Sequence, residues 1–212
     1  MRLTKLGHAC VRIEKDGAVL VIDPGAFSGD DALTGANAVL ITHEHFDHIV
    51  PDSLRAALDA DPGLQLWSTA AVAGQFPGRA DRVHVVDHGD TFTAAGFNVH
   101  AYGSEHAVLH QDIPMIANVG FMIDGEVFHP GDALTVPEDP VGTLLLPASA
   151  PWLKLSEMID YARTVDPRRG YTIHDALFSE IGLMVLSNFL GMASGPSGGA
   201  FSQLEVGSGV DL

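Results

Sequence analysis

The sequence predicts an α/β sandwich, with β-sheets inside and helices outside. Strand-rich stretches run along most of the chain, and helical segments stand between them. The composition agrees, because 46% of the 212 residues are hydrophobic and 18% are charged, which is typical of a globular protein. We expect a single domain spanning 1–212, since this length suits one core and no interdomain linker stands out.

Two hairpins are predicted, one in each half of the chain. Their turns lie at Asp16-Gly17 and Asp124-Gly125, a dipeptide that favours tight turns. In both hairpins the outgoing strand runs into a Pro-Gly, with Asp23 before the first and Asp132 after the second. The spacings differ by two residues, so the pattern is only a weak sign of two related halves.

The remaining elements follow from apolar runs and from Pro and Gly at their ends. Further strands are predicted at 39–42, 64–67 and 171–173, within "GTLLLP", and as three short strands in "DRVHVVDHGDTFTAAGFNVHAYG". Helices are predicted at 51–60, 70–75, 155–165 and 176–190. The Gly- and Ser-rich tail from Gly191 is open to two interpretations, a flexible end or one returning strand at 201–206.

The charge balance limits the partners. The formal charge is −16, with 27 acidic and 11 basic residues, which disfavours nucleic acid and anionic membrane. No apolar run reaches 18 residues, and Cys10 is the single cysteine, so no intrachain disulfide can form. We therefore expect a cytoplasmic protein that binds neither nucleic acid nor membrane. An anionic substrate stays open because bound cations reverse the local charge, and a homo-oligomer also stays open.

One short motif carries most of the chemistry. "ITHEHFDHIV" contains His43, His45, Asp47 and His48 in the pattern H-x-H-x-D-H, in a loop between a buried strand and a helix. Alternate residues of such a loop can turn toward one ion and the next pair toward a neighbouring ion. Imidazole and carboxylate ligands suit zinc, and also iron or manganese. The motif predicts a metal site; the competing interpretation is a solvated histidine-rich loop.

Three more candidates follow predicted strands elsewhere in the chain. His106 lies in "SEHAVLH", Asp132 in "HPGD" and His174 after "GYTI". Taken singly, each has an ordinary structural explanation, such as a packed histidine or an aspartate that caps a turn. Their recurrence at strand ends, where sites of α/β folds are usually found, is what favours a common site.

These motifs together resemble the metallo-β-lactamase superfamily. The likeness spans nearly the whole chain, through "LGHACVRIE", "VIDPG", "THEHFDH", "EHAVLH", "HPGD" and "IHDAL". Within the superfamily the chain is most similar to short bacterial metal-dependent hydrolases related to the ascorbate-phosphate lactonase branch. The resemblance implies a four-layer αβ/βα sandwich with a metal site between its two central sheets.

The resemblance also implies a binuclear site. His43, His45 and His106 would hold one divalent ion, Asp47, His48 and His174 would hold the other, and Asp132 would bridge them. Zinc is the expected metal, with manganese and iron as alternatives. A hydroxide shared by the two ions would attack a small ester, lactone or phosphodiester, and Asp47 would orient it and receive a proton.

Some positions depart from the usual pattern of the superfamily. Ala107 and Ala133 stand where many members have Gly and Thr. Because all seven ligand positions are filled, we interpret these changes as an adjustment of the site and not as its loss. His45 stands where oxygen-reducing di-iron relatives carry Glu, which disfavours redox chemistry. The alternatives are a phosphodiesterase or nuclease, and a metal-binding protein or sensor without turnover.

Four further residues are candidates for roles around the metals or the substrate. We expect Asp23 to brace the metal loop by accepting backbone hydrogen bonds, without binding metal. His8 and His110 are candidates for substrate contact or for support of the ligands. The alternative for His8 is simple packing, and the alternative for His110 is an exposed position in a loop. Trp152 is a candidate for a pocket wall, or for an anchor of the next helix.

Overall fold

The fold consists of two seven-stranded sheets that pack face to face. The structure, a computed structural model, describes residues 1–212. In spatial order the first sheet contains β14 (Gly209–Asp211), β1 (Arg2–Lys5), β2 (Val11–Lys15), β3 (Ala18–Ile22), β4 (Ala38–Ile41), β5 (Gln65–Ser68) and β6 (Val83–Val85). The second sheet contains β13 (Ala200–Ser202), β12 (Arg169–Ile173), β11 (Thr143–Pro147), β10 (Val127–His129), β9 (Gly120–Ile123), β8 (Phe97–Tyr102) and β7 (Thr91–Ala94).

Four helices cover the outer faces of the sheets. They are α1 (Pro51–Ala60), α2 (Ala70–Ala73), α3 (Leu155–Val165) and α4 (Glu180–Leu190). Pro51 is the first residue of α1, where its missing N–H costs no hydrogen bond. None of the helices combines the length and the apolar character that crossing a bilayer requires.

The alternation of side chains along the strands creates three apolar layers. In β3, Leu20 and Ile22 point into the layer between the sheets, whereas Val19 and Val21 face α1 and α2. In β11, Leu145 enters the same central layer, and its neighbours on either side pack against α3 and α4. The order helix, sheet, sheet, helix confirms the predicted four-layer αβ/βα sandwich.

Both predicted hairpins are present. β2 and β3 pair antiparallel around Asp16-Gly17, and β9 and β10 pair antiparallel around Asp124-Gly125. In each sheet the outgoing strand of the hairpin then pairs in parallel with the following strand, β4 or β11. The two sheets thus repeat one local arrangement.

Two predictions near the C-terminus were wrong in detail. The last helix begins at Glu180 and not at 176, because Ser179 caps it and its side chain accepts a hydrogen bond from the backbone N–H of Gly182. The tail forms two short strands instead of one. β13 adds to the second sheet beside β12, and β14 adds to the first sheet beside β1.

Candidate metal centre

The candidate metal ligands converge where strands of both sheets end. Seven side chains meet there: His43, His45, Asp47, His48, His106, Asp132 and His174. The first four follow β4, and the others follow β8, β10 and β12 in turn. His45 and Asp47 are half-buried and the other five are buried. The structure thus brings together all seven residues that the sequence indicated.

One group of donor atoms belongs to His43, His45, His106 and Asp132. These atoms all lie within 4.8 Å of one another. His43 Nε2 is 3.1 Å from His45 Nδ1, and His106 Nε2 is 3.4 Å from Asp132 Oδ2. Three imidazole nitrogens and a carboxylate oxygen at these separations form a donor set that fits a divalent metal ion.

A second group shares Asp132 and adds His48 and His174. His48 Nε2 is 3.1 Å from Asp132 Oδ1, and His174 Nε2 is 3.0 Å from Asp132 Oδ2. Asp47 Oδ2 lies 3.5 Å from His174 Nε2 and 4.0 Å from His48 Nε2. Asp132 Oδ2 therefore lies beside a histidine of each group, and Oδ1 faces the second group alone.

Hydrogen bonds on the far side of each ring orient three of these histidines. His48 Nδ1 donates to Asp23 Oδ2 at 2.7 Å, His106 Nδ1 to the carbonyl of Ala107 at 2.6 Å, and His174 Nδ1 to the carbonyl of Ser149 at 2.5 Å. Because Nδ1 carries the hydrogen in each neutral ring, Nε2 presents a lone pair to the site.

The facing atoms at the centre have no partners. The Nε2 atoms of His48, His106 and His174 and the Oδ1 atom of Asp132 are buried without a hydrogen bond. Lone pairs of nitrogen and carboxylate oxygen that face one another at such distances repel, unless a cation or a proton lies between them. This donor set therefore fits divalent metal ions.

Protonation of the histidines balances the buried carboxylates when no metal is bound. Burial acts to lower the pKa of His174, but the carboxylates of Asp132 and Asp47, which can accept from the ring once it is protonated, raise it to about 9. Burial likewise opposes protonation of His48, yet Asp132 and Asp23 raise its pKa well above the ordinary value. Burial alone would raise the pKa of Asp132, but His48 and its neighbours hold it well below the usual range.

His8 has the opposite hydrogen-bonding pattern. Its Nδ1 accepts a hydrogen bond from the backbone N–H of Ala176 at 3.1 Å, and burial lowers the pKa of the ring. The neutral ring therefore carries its hydrogen on Nε2, which lies 3.4 Å from Asp47 Oδ2. His8 presents a donor to Asp47 and no lone pair to a metal, although it is as deeply buried as the candidate ligands.

Asp23 supports the loop that carries the H-x-H-x-D-H motif. Its Oδ1 accepts from the backbone N–H of Thr42 at 2.8 Å, and its Oδ2 accepts from the Thr42 hydroxyl at 2.7 Å and from His48. The Thr42 oxygen in turn accepts from His43 Nδ1 at 3.0 Å. One fully buried carboxylate thus orients two histidines of the site, as expected of a supporting residue.

A second support, around Asp132, has no sequence motif. The backbone N–H of Asp132 donates to Asn118 Oδ1 at 3.0 Å, and Asn118 Nδ2 donates to the carbonyl of Pro130 at 2.9 Å. Trp152 Nε1 donates to Asp132 Oδ2 at 3.2 Å. Sequence reasoning missed Asn118, because a lone asparagine before a strand carries no recognisable signal.

The family was decided by comparison with known proteins. A sequence profile described as "Beta-lactamase superfamily domain" matches residues 2–174, which is most of the chain. The chain belongs to the beta-lactamase superfamily. Protein Rv0786c of Mycobacterium tuberculosis is a relative with 42% identity over 185 residues, covering 84% of this chain and 85% of that protein.

Two further likenesses are to a named hydrolase and to a solved structure. A protein named UPF0173 metal-dependent hydrolase, from Rhizobium etli, is 33% identical over 107 residues, covering 46% of this chain and 44% of the relative. The structure of Igni18, a metallo hydrolase from Ignicoccus hospitalis, superposes with a TM-score of 0.75 at 19% identity, covering 99% of this chain and 97% of that one. This structural likeness shows the fold.

In this superfamily member a cavity of about 330 Å³ opens above the candidate ligands. His45, Asp47, His106, Asp132 and His174 line its floor. Trp152 forms part of its wall, as one of the two sequence interpretations had it. His110 does not line the cavity: its side chain is 58% exposed on the loop after His106 and faces Asp112.

Proposed function

We propose that the chain, a metal-dependent hydrolase of the beta-lactamase superfamily, works with two divalent metal ions bound side by side. The convergence of unpartnered buried atoms on both oxygens of Asp132 is the observation that carries this proposal. The Rhizobium etli relative, named a metal-dependent hydrolase, supports the reaction class.

The two ligand groups assign residues to each ion. His43, His45 and His106 would hold the first, Asp47, His48 and His174 would hold the second, and Asp132 would contribute to both. All ligand atoms are imidazole nitrogens or carboxylate oxygens, a set that suits zinc best and that also accepts manganese or iron.

The chain's own residues prepare the attack on substrate. When bound, the two ions lower the pKa of water toward 7 and stabilise negative charge on the reacting oxygen. Asp47 Oδ2, half-buried at the cavity floor, orients the attacking water and accepts its proton. His8 Nε2–H faces the same oxygen and keeps that carboxylate turned toward the site.

The substrate of this reaction is a small molecule that carries an ester, lactone or phosphodiester bond. A nuclease or a broad phosphodiesterase is the weaker alternative, because the chain carries a charge of −16, which repels polyphosphate backbones. A metal-binding sensor without turnover is the other alternative, and only an activity measurement separates it from an enzyme.

The proposal includes a cytoplasmic location. Cys10 is the single cysteine and is fully buried. Burial raises the pKa of its thiol to about 12, so the thiol neither pairs nor reacts. A chain without disulfides is typical of a reducing compartment.

The test combines metal content with turnover. Elemental analysis of the purified protein should give two equivalents of metal per chain. The metal-loaded protein should hydrolyse members of a panel of simple esters, lactones and bis(p-nitrophenyl) phosphate, and Asp47→Ala should lose most of this activity. Asp52→Ala, an exposed aspartate at the start of α1, is the matched control and should behave as the wild type. Equal inertness of the wild type and Asp47→Ala across the panel would show that the site binds metal without turnover.

A further inference from the structure

The walls of the cavity differ sharply in character from its floor. Apart from the five candidate-centre residues on the floor, every lining residue is apolar: Phe27, Phe46, Leu109, Pro151, Trp152 and Leu177. A volume of about 330 Å³ suits a small organic molecule. The chemistry of the floor fixes the reacting bond, so the walls select what is attached to that bond.

The apolar side chains at the mouth remain open to solvent. Phe46 is 65% exposed, Leu177 is 53% exposed and Phe27 is 42% exposed. The rings of Phe27 and Phe46 meet edge to face with centroids 5.5 Å apart, which forms one apolar wall. Contiguous apolar surface beside a polar floor is typical of a site that buries an apolar ligand.

A second apolar pocket continues from the first. It has a volume of about 260 Å³ and shares His45, His106 and Leu109 with the main cavity. Its remaining lining is entirely apolar: Ala107, Val108, Ile113, Pro114, Met115 and Ile116. A substrate that reacts beside His106 therefore has apolar surface on both sides of that residue.

Cationic side chains are absent from both pockets. No Lys or Arg lines either one. Of the eleven lysines and arginines, all except Arg163 form an ion pair with a carboxylate. Lys5, which lies behind His8, is buried in a pair with Asp175 at 2.5 Å. A phosphate or carboxylate remote from the reacting bond would find no positive partner here.

We propose that the substrate is an uncharged ester or lactone whose substituents are alkyl or aryl groups. This inference rests on the proposed hydrolase function and narrows it. In the reaction the oxygen of water bonds to the carbonyl carbon, the bond from that carbon to the alcohol oxygen breaks, and the leaving oxygen takes a proton. The products are a carboxylic acid and an alcohol, joined in one molecule when the substrate is a lactone.

A series of 4-nitrophenyl esters tests the substrate class. From acetate through butyrate to hexanoate, kcat/KM should rise about fifteenfold for each added pair of methylenes, since each buried methylene contributes about a factor of four. The mono-4-nitrophenyl ester of adipic acid has the same chain length as the hexanoate and a carboxylate at its end. It should react at least about tenfold more slowly than the hexanoate. A preference for the charged ester would overturn the assignment.

A charge placed in the wall sharpens the comparison. Leu177→Lys should lower kcat/KM for the hexanoate and raise it for the adipate, because the new ammonium meets the distal carboxylate. Val85→Lys is the matched control, since Val85 is 52% exposed and lies on β6 away from both pockets. The control should keep the wild-type ratio of the two rates, and an equal shift in both variants would count against the cavity.

Binding without turnover separates this inference from the proposed function. In a Trp67→Phe variant, Trp152 is the single tryptophan and reports on the cavity wall through its fluorescence. Hexanamide should change this fluorescence in the metal-free protein at lower concentration than adipic acid monoamide does. Binding of hexanamide with no ester hydrolysed would support the apolar cavity and defeat the hydrolase. Hydrolysis confined to charged esters, with no response to hexanamide, would defeat the apolar cavity and leave the hydrolase standing.

Discussion

Asp23 is not a candidate metal ligand, but its side chain orients residues of the site. The residue follows β3 with φ at 51°, in the left-handed region, which turns its carboxylate toward Thr42 and His48. Such backbone conformations are uncommon for residues other than glycine, and aspartate and asparagine tolerate them best. His174, after β12, has a similar φ of 54°. The site therefore takes two of its key side chains from backbone positions that few residue types adopt.

Asp23→Asn keeps the backbone conformation and removes the charge that holds His48. We expect metal affinity to fall about 10- to 100-fold, because the ring loses its oriented acceptor. The measurement is competition with a chromophoric chelator. Asp16→Asn changes the same residue type at a similar φ of 53° in an exposed turn, and it should bind metal as the wild type does. Equal losses in the two variants would contradict the supporting role of Asp23.

His8→Asn tests whether His8 is a donor or a ligand. The asparagine oxygen can still accept from the backbone N–H of Ala176, but no group replaces the Nε2–H that faces Asp47. We expect kcat to fall about 10- to 100-fold while both metal equivalents are retained. Elemental analysis alongside steady-state kinetics makes the distinction. Loss of one metal equivalent would identify His8 as a ligand and refute its hydrogen-bonding pattern described above.

At the residue scale, the candidate ligands could be predicted from residue type and spacing. The H-x-H-x-D-H motif and the histidines after strand ends are recognisable, because imidazoles seldom cluster without a reason. Asn118 and the carbonyl of Ser149 left no signal, since an asparagine side chain and a backbone carbonyl are common groups whose role depends on where the chain folds. Apart from Trp152, the apolar residues of the cavity wall were missed for the same reason, because nothing in the sequence separates Phe46 or Leu177 from other apolar residues.

At the scale of elements, the two Pro-Gly turns bring backbone close to the metal loop. A Cβ atom on Gly25 would overlap with the carbonyl of Asp47 and the amide nitrogen of His48. A Cβ atom on Gly131 would overlap with the side chains of Asn118 and Thr42. Both turns thus place a glycine against the segment from Thr42 to His48. The Pro-Gly that the two hairpins share therefore has the same structural role in each half of the chain.

Gly25→Ala should displace Asp47 and His48, because the obstacle is backbone and cannot rotate away. We expect a loss of about 3 kcal/mol in the free energy of unfolding, together with weaker binding of the second metal equivalent. Chemical denaturation and metal titration measure the two effects. Gly191→Ala serves as control, since a Cβ atom there meets nothing within 4 Å and its φ is −61°. Unchanged metal binding in Gly25→Ala would show that the turn does not position the loop.

Most elements were predictable from periodicity and from Pro and Gly at their ends, and the exceptions share a cause. β13 and β14 are three residues long and lie in a Gly- and Ser-rich tail, so their own sequence favours no strand. Each forms because the edge strand beside it, β12 or β1, offers unpaired backbone groups. Pairing of this kind depends on the finished sheet, and no local pattern encodes it.

At the scale of the whole molecule, protonation of the candidate ligands couples the metal-free protein's stability to pH. The folded protein raises the pKa of His174 from 6.5 to about 9, so this histidine stabilises the metal-free fold fully below pH 6.5 and loses that contribution as the pH rises through 9. Asp132, with its pKa held below 3.8, contributes above that pH and loses its contribution on acidification. The metal-free protein is therefore expected to be most stable between pH 3.8 and 6.5 as far as these groups are concerned.

The free energy of unfolding of the metal-free protein should accordingly fall by an amount on the order of 2 kcal/mol between pH 6.5 and pH 9.5. The melting temperature should fall with it over the same range. Metal affinity should change in the opposite direction over the same range, because metal displaces the protons from His48 and His174. Calorimetric titrations in buffers of different ionisation enthalpy will show protons released on metal uptake. A metal-free protein that grows more stable toward pH 9.5 would contradict the raised pKa of His174.

The α/β sandwich class was foreseeable from the sequence because its hydrophobic pattern alternates along strands that are interrupted by helices. Leu20, Ile22 and Leu145 enter the central layer as a period of two requires. The pairing of the sheets was implied by family resemblance and not by pattern, since alternation alone does not say which strands become neighbours.

The placement of the ligands on two sheets has a consequence for how the protein comes apart. The H-x-H-x-D-H loop leaves the first sheet, whereas His106, Asp132 and His174 leave the second, so each ion would be held by both. To separate the sheets, the coordination bonds that join them would have to break together. Only then could water reach the apolar layer between the sheets. Bound metal should then act as a cross-link that mainly slows unfolding and leaves the rate of folding nearly unchanged, provided the seam closes after the folding transition state. The folded state of the metal-loaded protein would then persist longer than that of the metal-free protein, and a chelator would shorten its lifetime.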